Sequence, residues 1–166
     1  MLLSPFVMLL FCGIILALAF WQKTPLQQLG ITKNLPIITL ILFGGYIVLF
    51  IINGDFSLMG VYWALFYLVL VGFGEEFMFR GYVFSSLHNE CSFTKAAIIS
   101  GVFFALPHYF RDTIASGAIV FSPGSFVLYI ALGAVLAFIL KKTGSIWIVS
   151  IIHGYMNYAP LVLLQE

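Results

Sequence analysis

Long apolar runs separated by short polar connections dominate the chain. A helix that crosses a bilayer needs about 20 mostly apolar residues. Six runs come close to or exceed that length: residues 3–21, 36–53, 60–84, 95–110, 124–140 and 144–164. The pattern predicts an all-α fold, a polytopic transmembrane bundle of about six helices in which residues 1–166 form a single membrane-embedded domain.

The first run raises the question of a secretory signal peptide. Ala17, Leu18 and Ala19 loosely match a cleavage site. However, the run lacks a positively charged start, and its apolar part exceeds the roughly 15 residues of a signal sequence. We therefore expect a retained transmembrane helix.

The composition agrees with a membrane protein. Hydrophobic residues make up 63% of the chain and charged residues only 8%, against about 25% charged residues in soluble domains. The net charge of +1 leaves no basic surplus for nucleic acid. Cys12 and Cys91 form neither a disulfide framework nor a metal-ligand spacing.

Basic residues are distributed unevenly among the connections. The odd-numbered connections contain Lys23, Lys33, Lys95, Lys141 and Lys142, whereas the even-numbered connections contain only Arg111. Because cytoplasmic loops carry an excess of lysine and arginine, this asymmetry predicts a multi-pass protein of the cell membrane. The Lys141/Lys142 connection would be cytoplasmic and both termini would lie outside.

The third run contains charged residues in the stretch GEEFMFRG, residues 74–81. A charge at the centre of a membrane helix costs about 2.5–3.5 kcal/mol, so such residues usually face the bundle interior and serve a function. Glu76 and Arg80 are four residues apart and could form an ion pair that only supports packing. Glu75 lies about 100° around an α-helix from Glu76 and has no such explanation. A second buried carboxylate could accept a proton from water.

Two further runs contain polar residues with a helical spacing. The stretch FALPH places Phe104 one turn before His108, and HGYMN places His153 one turn before Asn157. Each has a simpler interpretation, since a lone histidine often only packs and polar pairs also join transmembrane helices. Together with the glutamates, however, these residues put side chains that can exchange protons or donate hydrogen bonds on the third, fourth and sixth predicted helices.

These three stretches resemble, in order, the motifs EExxxR, FxxxH and HxxxN of the CPBP (CAAX protease/Abi) family of intramembrane endopeptidases. The resemblance covers about residues 60–160, which would form the CPBP/Abi-like catalytic core. It implies that Glu75, assisted by His108, activates a water molecule, and that His153 and Asn157 stabilise the oxyanion. The resemblance assigns supporting positions to Glu76, Arg80 and Phe104.

The resemblance also implies partners: the lipid bilayer and a membrane-associated peptide or protein substrate, either prenylated or of the bacteriocin type. Two other functions stay open at this point. One is a membrane immunity or binding module on the same fold, and the other is a small proton or metal transporter, in which buried acids and histidines form a relay.

The cofactor requirement also stays open. Glu75, His108 and His153 could supply three ligands to a catalytic zinc ion. Asn157 is a poor zinc ligand and a good oxyanion donor, so we favour a reaction that requires no cofactor.

Overall fold

The computed structural model describes residues 3–32, 35–117 and 121–164. Within these ranges the chain folds into six helices and one short 3-10 turn, Leu26–Leu29, and contains no β-strand. The six helices are α1 (Leu3–Trp21), α2 (Ile37–Asn53), α3 (Leu58–Glu90), α4 (Phe93–Ser116), α5 (Pro123–Thr143) and α6 (Ile146–Leu163). The predicted all-α bundle of about six helices is therefore confirmed.

The helix bounds match the apolar runs closely for α1 and α2 and extend beyond them for α3 and α4. In the described part of the chain, four helical stretches are long and apolar enough to cross a membrane: Leu58–Glu90, Phe93–Phe110, Pro123–Thr143 and Ile146–Leu163. Helix α1, Leu3–Trp21, has 19 residues, and α2, Ile37–Asn53, has 17. Both α3 and α4 extend beyond their predicted bounds, and α4 continues through Pro107.

Local sequence explains where several helices begin and end. Ser57 precedes α3, and its hydroxyl accepts a hydrogen bond of 3.1 Å from the Gly60 amide. Such a cap satisfies an amide that has no partner within the helix. Gly144 ends α5 with a φ angle of 65°, which glycine adopts without steric cost. Lys141 and Lys142 in the last turn of α5 complement the helix dipole.

Two close contacts at glycines join α3 to α6 and α5 to α4. A Cβ atom on Gly72 of α3 would lie 2.5 Å from the carbonyl oxygen of Ser150 on α6. A Cβ atom on Gly133 of α5 would lie 2.9 Å from the Cα of Gly101 on α4. Small residues allow membrane helices to approach this closely, and larger side chains at these positions would separate the helices that carry the polar residues.

The middle of α3 departs from α-helical geometry. Its backbone is a π-helix over Phe66–Glu75 and again over Phe77–Phe84, with Glu76 between the two segments. Hydrogen bonds from i to i+5 put more residues in each turn, so consecutive side chains are separated by a smaller angle than in an α-helix. The predicted separation of about 100° between Glu75 and Glu76 is therefore too large. The π geometry turns both carboxylates toward α6.

The lysine-bearing connections lie at one end of the bundle. Tyr82 donates a hydrogen bond of 3.1 Å to Gln22 just after α1, and the Lys141 ammonium contacts the His88 imidazole near the end of α3. These contacts join the ends of α1, α3 and α5. Lys33 and the side chain of Arg111 lie outside the described residues. Which side of the membrane this end faces stays a prediction.

Candidate active site

Glu76 and Arg80 form a fully buried ion pair on α3. Their Oε1 and Nη1 atoms are 3.1 Å apart, and both side chains are 0% exposed. The Arg80 guanidinium also lies 4.1 Å from the centre of the Phe104 ring on α4, a cation–π distance. Buried charges persist only when they are well paired, so this pair connects α3 to α4 and restricts how the two helices can rotate.

His153 on α6 lies between the two glutamates of α3. Its Nδ1 donates a hydrogen bond of 2.7 Å to Oε1 of Glu76. Its Nε2 lies 3.8 Å from Oε2 of Glu75. Because a carboxylate can only accept, the contact with Glu76 defines which ring nitrogen carries a proton and directs Nε2 toward Glu75. The Glu75 side chain is 16% exposed, whereas that of Glu76 is fully buried.

His108 on α4 is held by its own helix and by two aromatic rings. Its Nδ1 donates to the carbonyl oxygen of Phe104 at 2.9 Å, since a carbonyl oxygen can only accept. The ring centre is 4.6 Å from that of Phe104 and 4.3 Å from that of Tyr129 on α5, which is stacked at 30°. In the neutral imidazole, this bond leaves Nε2 as the acceptor.

Asn157 lies one turn beyond His153 on α6. Its Nδ2 donates a hydrogen bond of 3.1 Å to the His153 carbonyl oxygen. The sequence suggests instead that both side chains donate toward a common point. An amide group carries two hydrogens, so this bond uses one of them, and the side chain is half-buried.

The seven residues singled out from the sequence form one contiguous set. Phe104 lies at its centre, because its ring is 4.6 Å from the His108 ring and 5.6 Å from the His153 ring. Arg80 lies against the same ring, and the two glutamates reach it through His153. Which of these residues take part in catalysis stays a prediction.

Two neighbours of this set were not predicted from the sequence. Tyr129 stacks on His108 from α5, and Cys12 of α1 donates a hydrogen bond of 3.7 Å to the Gly74 carbonyl oxygen beside Glu75. Both lie in apolar runs with no ionisable residue one turn away. No spacing within one helix therefore marks them, and only the packing of helices brings them to the site.

The geometry also bears on the zinc alternative. Among the described residues, no group of three histidine, cysteine, aspartate or glutamate side chains is placed to hold one metal ion. His153 uses Nδ1 for Glu76, and His108 uses Nδ1 for a backbone carbonyl. These bonds leave Nε2 of each histidine for another contact, as in histidines that bind a metal ion, so whether a cofactor is required stays a prediction.

Comparison with known proteins places the chain in a family. The family of Rce1-like type II CAAX prenyl endopeptidases matches residues 56–159. The chain is 32% identical over 133 residues to "CAAX prenyl protease 2" of Methanococcus maripaludis, covering 74% of this chain and 49% of that protein. It is 28% identical over 92 residues to "Putative membrane peptidase YdiL" of Bacillus subtilis, covering 55% of this chain and 33% of that protein.

The chain thus spans about half or less of the length of these two relatives. No solved structure gives a significant match. The family match includes all seven residues of the candidate site, from Glu75 to Asn157. Together with the apolar helices, it identifies a membrane protein of the Rce1-like type II CAAX prenyl endopeptidase family.

Proposed function

We propose that this protein is an intramembrane endopeptidase that hydrolyses a peptide bond with an activated water molecule. The observation that carries the proposal is the position of His153 between the carboxylates of Glu75 and Glu76. A buried guanidinium and a second histidine lie around the same phenylalanine ring. Hydrolysis of an amide requires a base for water and donors for the developing oxyanion, and this set offers both.

In the proposed reaction, Glu75 accepts a proton from water while the water oxygen attacks the carbonyl carbon. His108 assists through Nε2, because its Nδ1 is occupied by the Phe104 carbonyl. The C–N bond then breaks, and Glu75 returns its proton to the leaving amine. Glu75 suits the role of base because its side chain is partly exposed, whereas Glu76 is sealed in the ion pair.

The oxyanion would be stabilised by His153 and Asn157. With its Nδ1–H bonded to Glu76, His153 can donate from Nε2 only when the ring carries a second proton. The combined formal charge of −1 on Glu75, Glu76 and Arg80 would favour that form in the reaction. The imidazolium would donate through Nδ1 to Glu76 and through Nε2 into the site. Asn157 would contribute the amide hydrogen that its bond to the His153 carbonyl does not use.

The substrate class follows from the family and from the membrane location. One relative bears the name CAAX prenyl protease, and on that basis we propose a membrane-associated peptide, prenylated or of the bacteriocin type. We further propose that the Lys141/Lys142 connection is cytoplasmic and that both termini lie outside. The proposed reaction uses the protein's own side chains and water, without a metal ion.

The direct test is cleavage of a membrane-embedded reporter peptide by the purified protein in liposomes. We expect hydrolysis at one bond, identified by mass spectrometry of the products, with a rate that does not change after treatment with a chelator. No cleavage of any membrane-associated peptide would contradict the proposed activity. Loss of cleavage on chelation, with recovery on addition of zinc, would contradict the metal-free reaction alone.

A second expected outcome concerns Asn157. Its proposed hydrogen bond strengthens only as negative charge develops on the substrate oxygen. Asn157→Ala should therefore lower kcat by about 10²–10³-fold and leave KM nearly unchanged. The matched control is Ser150→Ala, which removes another side-chain bond to a backbone carbonyl of α6, 2.8 Å from Ser150 to Ile146. A comparable loss in both variants would show that Asn157 acts only by supporting the helix.

A further inference from the structure

A cavity lies away from the seven residues of the candidate site, at the end of the bundle opposite the lysine-bearing connections. It has a volume of about 460 Å³ and is bounded by the end of α2, the beginning of α3 and the end of α6. The residues that define its chemistry are Asn53, Asp55, Trp63, Tyr67 and Tyr158. Its volume falls within the range of about 300–1,000 Å³ that is typical of ligand sites.

Aromatic side chains from two helices form one wall of this cavity. Trp63 and Tyr67 of α3 are stacked with ring centres 5.9 Å apart. Tyr67 in turn lies 6.3 Å from Tyr158 of α6. Rings of this kind attract cations to their faces, and the attraction is strongest for tryptophan.

Asp55 gives the cavity a negative charge. It lies in the connection between α2 and α3, and its Oδ1 accepts a hydrogen bond of 3.1 Å from the Ser57 amide. The side chain and backbone of Ser57 hold the pKa of Asp55 below its usual value, so Asp55 is ionised at neutral pH. Among the described residues that line the cavity, no lysine or arginine offsets this charge.

The cavity also lies at a defined distance from the candidate base. Tyr67 precedes Glu75 by eight residues on α3, which corresponds to at most about 12 Å along a helix at 1.5 Å per residue. An extended peptide advances about 3.3 Å per residue. A substrate that reaches from Glu75 to the Tyr67 wall would therefore span about three to four residues. One that reaches the Asp55 end, beyond the start of α3 at Leu58, would span about seven to eight.

We infer that this cavity binds a lysine or arginine side chain of the peptide substrate, about four to eight residues from the bond that is cut. The carboxylate of Asp55 would pair with the cationic group. The aromatic rings would pack against that group and against the aliphatic stem of the same side chain. This inference rests on the proposed function and adds a preference for a basic residue. The favoured substrate would present that residue at the membrane surface, where α2 and α6 end and α3 begins.

The test uses two measurements on the protein in liposomes. In the first, the Glu75→Gln variant binds fluorescent reporter peptides that carry lysine, glutamine or glutamate at each position within eight residues of the cleaved bond. We expect the lysine peptide to bind about 5- to 10-fold more tightly than the glutamine peptide at one such position. Asp55→Asn should abolish this preference, and Asp55→Lys should reverse it toward glutamate.

Ser57→Ala is the matched control. It removes the hydroxyl that caps α3 and the side-chain hydrogen bond to Asp55, but leaves the carboxylate. We expect it to retain the preference for lysine. If Ser57→Ala loses the preference while Asp55→Asn keeps it, the charge of Asp55 is not what binds the peptide, and the inference is wrong.

The second measurement is cleavage of the same peptides by the wild-type protein, in which the preference should appear as a lower KM. Cleavage without any effect of the basic residue would overturn the inference and leave the proposed function intact. Charge-dependent binding without cleavage by the wild-type protein would have the opposite meaning: the cavity would bind the peptide, but the protein would not be the proposed enzyme.

Discussion

Glu75→Gln should abolish peptide hydrolysis while leaving the protein folded. Glutamine has nearly the same shape as glutamate but cannot take a proton from water, and a positioned general base contributes about 10²–10⁴-fold to rate. We expect kcat to fall by at least about 10³-fold. The measurement is cleavage of the reporter peptide in liposomes, together with the elution profile and thermal unfolding of the variant in detergent.

The structure explains why the fold should tolerate this change. The Glu75 side chain is 16% exposed, and its Oε2 lies 3.8 Å from His153, beyond hydrogen-bond length. Removing its charge therefore leaves the buried pair of Glu76 and Arg80 intact. Glu90→Gln, which removes an exposed glutamate at the far end of the same helix, is the matched control and should keep full activity.

A double variant separates a shared step from independent effects. Glu75→Gln combined with Asn157→Ala should be little slower than Glu75→Gln alone, because residues that act in one step are strongly non-additive. Full cleavage by Glu75→Gln would rule out the proposed base. If cells that produce this variant keep full immunity to a bacteriocin and no cleavage is detected in either form, a membrane immunity or binding module becomes the better interpretation.

The polar residues of the candidate site stand out in the linear sequence, whereas their roles in catalysis stay a prediction. Charged residues in an apolar run are costly, so Glu75, Glu76 and Arg80 stand out without any structural information. The helical spacing of His153 and Asn157 places them on one face in the same way. These features depend only on transfer energy and on local geometry, both of which are present in the linear chain.

The features that the sequence did not predict depend on contacts between helices. The stacking of Tyr129 on His108 depends on the rotation of α5 against α4, which the approach of Gly101 to Gly133 controls. The π geometry of α3 leaves no mark in the hydrophobic pattern, although it directs both glutamates to one histidine. Helix ends were also uncertain, because apolar runs do not reveal caps such as that at Ser57.

The same geometry supports the proposed division of the two glutamates into a general base and a structural residue. Glu76 contacts Arg80 at 3.1 Å and His153 at 2.7 Å, and all three side chains are buried. Glu75 lies 3.8 Å from His153, in a more exposed position. We therefore expect Glu75→Gln to lower mainly the activity and Glu76→Gln to lower mainly the stability.

Glu76→Gln should destabilise the protein strongly. The Arg80 guanidinium would keep its charge and lose the carboxylate that lies 3.1 Å from it, and breaking a buried pair in this way typically costs about 3–5 kcal/mol. We expect a loss of this size in the free energy of unfolding, measured by denaturant titration in mixed micelles, together with a low yield.

Glu76→Gln/Arg80→Met, which replaces both charges, should recover much of the lost stability, because a buried pair is often replaceable by apolar residues of similar volume. It should remain inactive, since His153 would have lost the carboxylate that orients it. Equal destabilisation by Glu75→Gln and Glu76→Gln would contradict this division of roles and would place Glu75 in the structural core of the bundle.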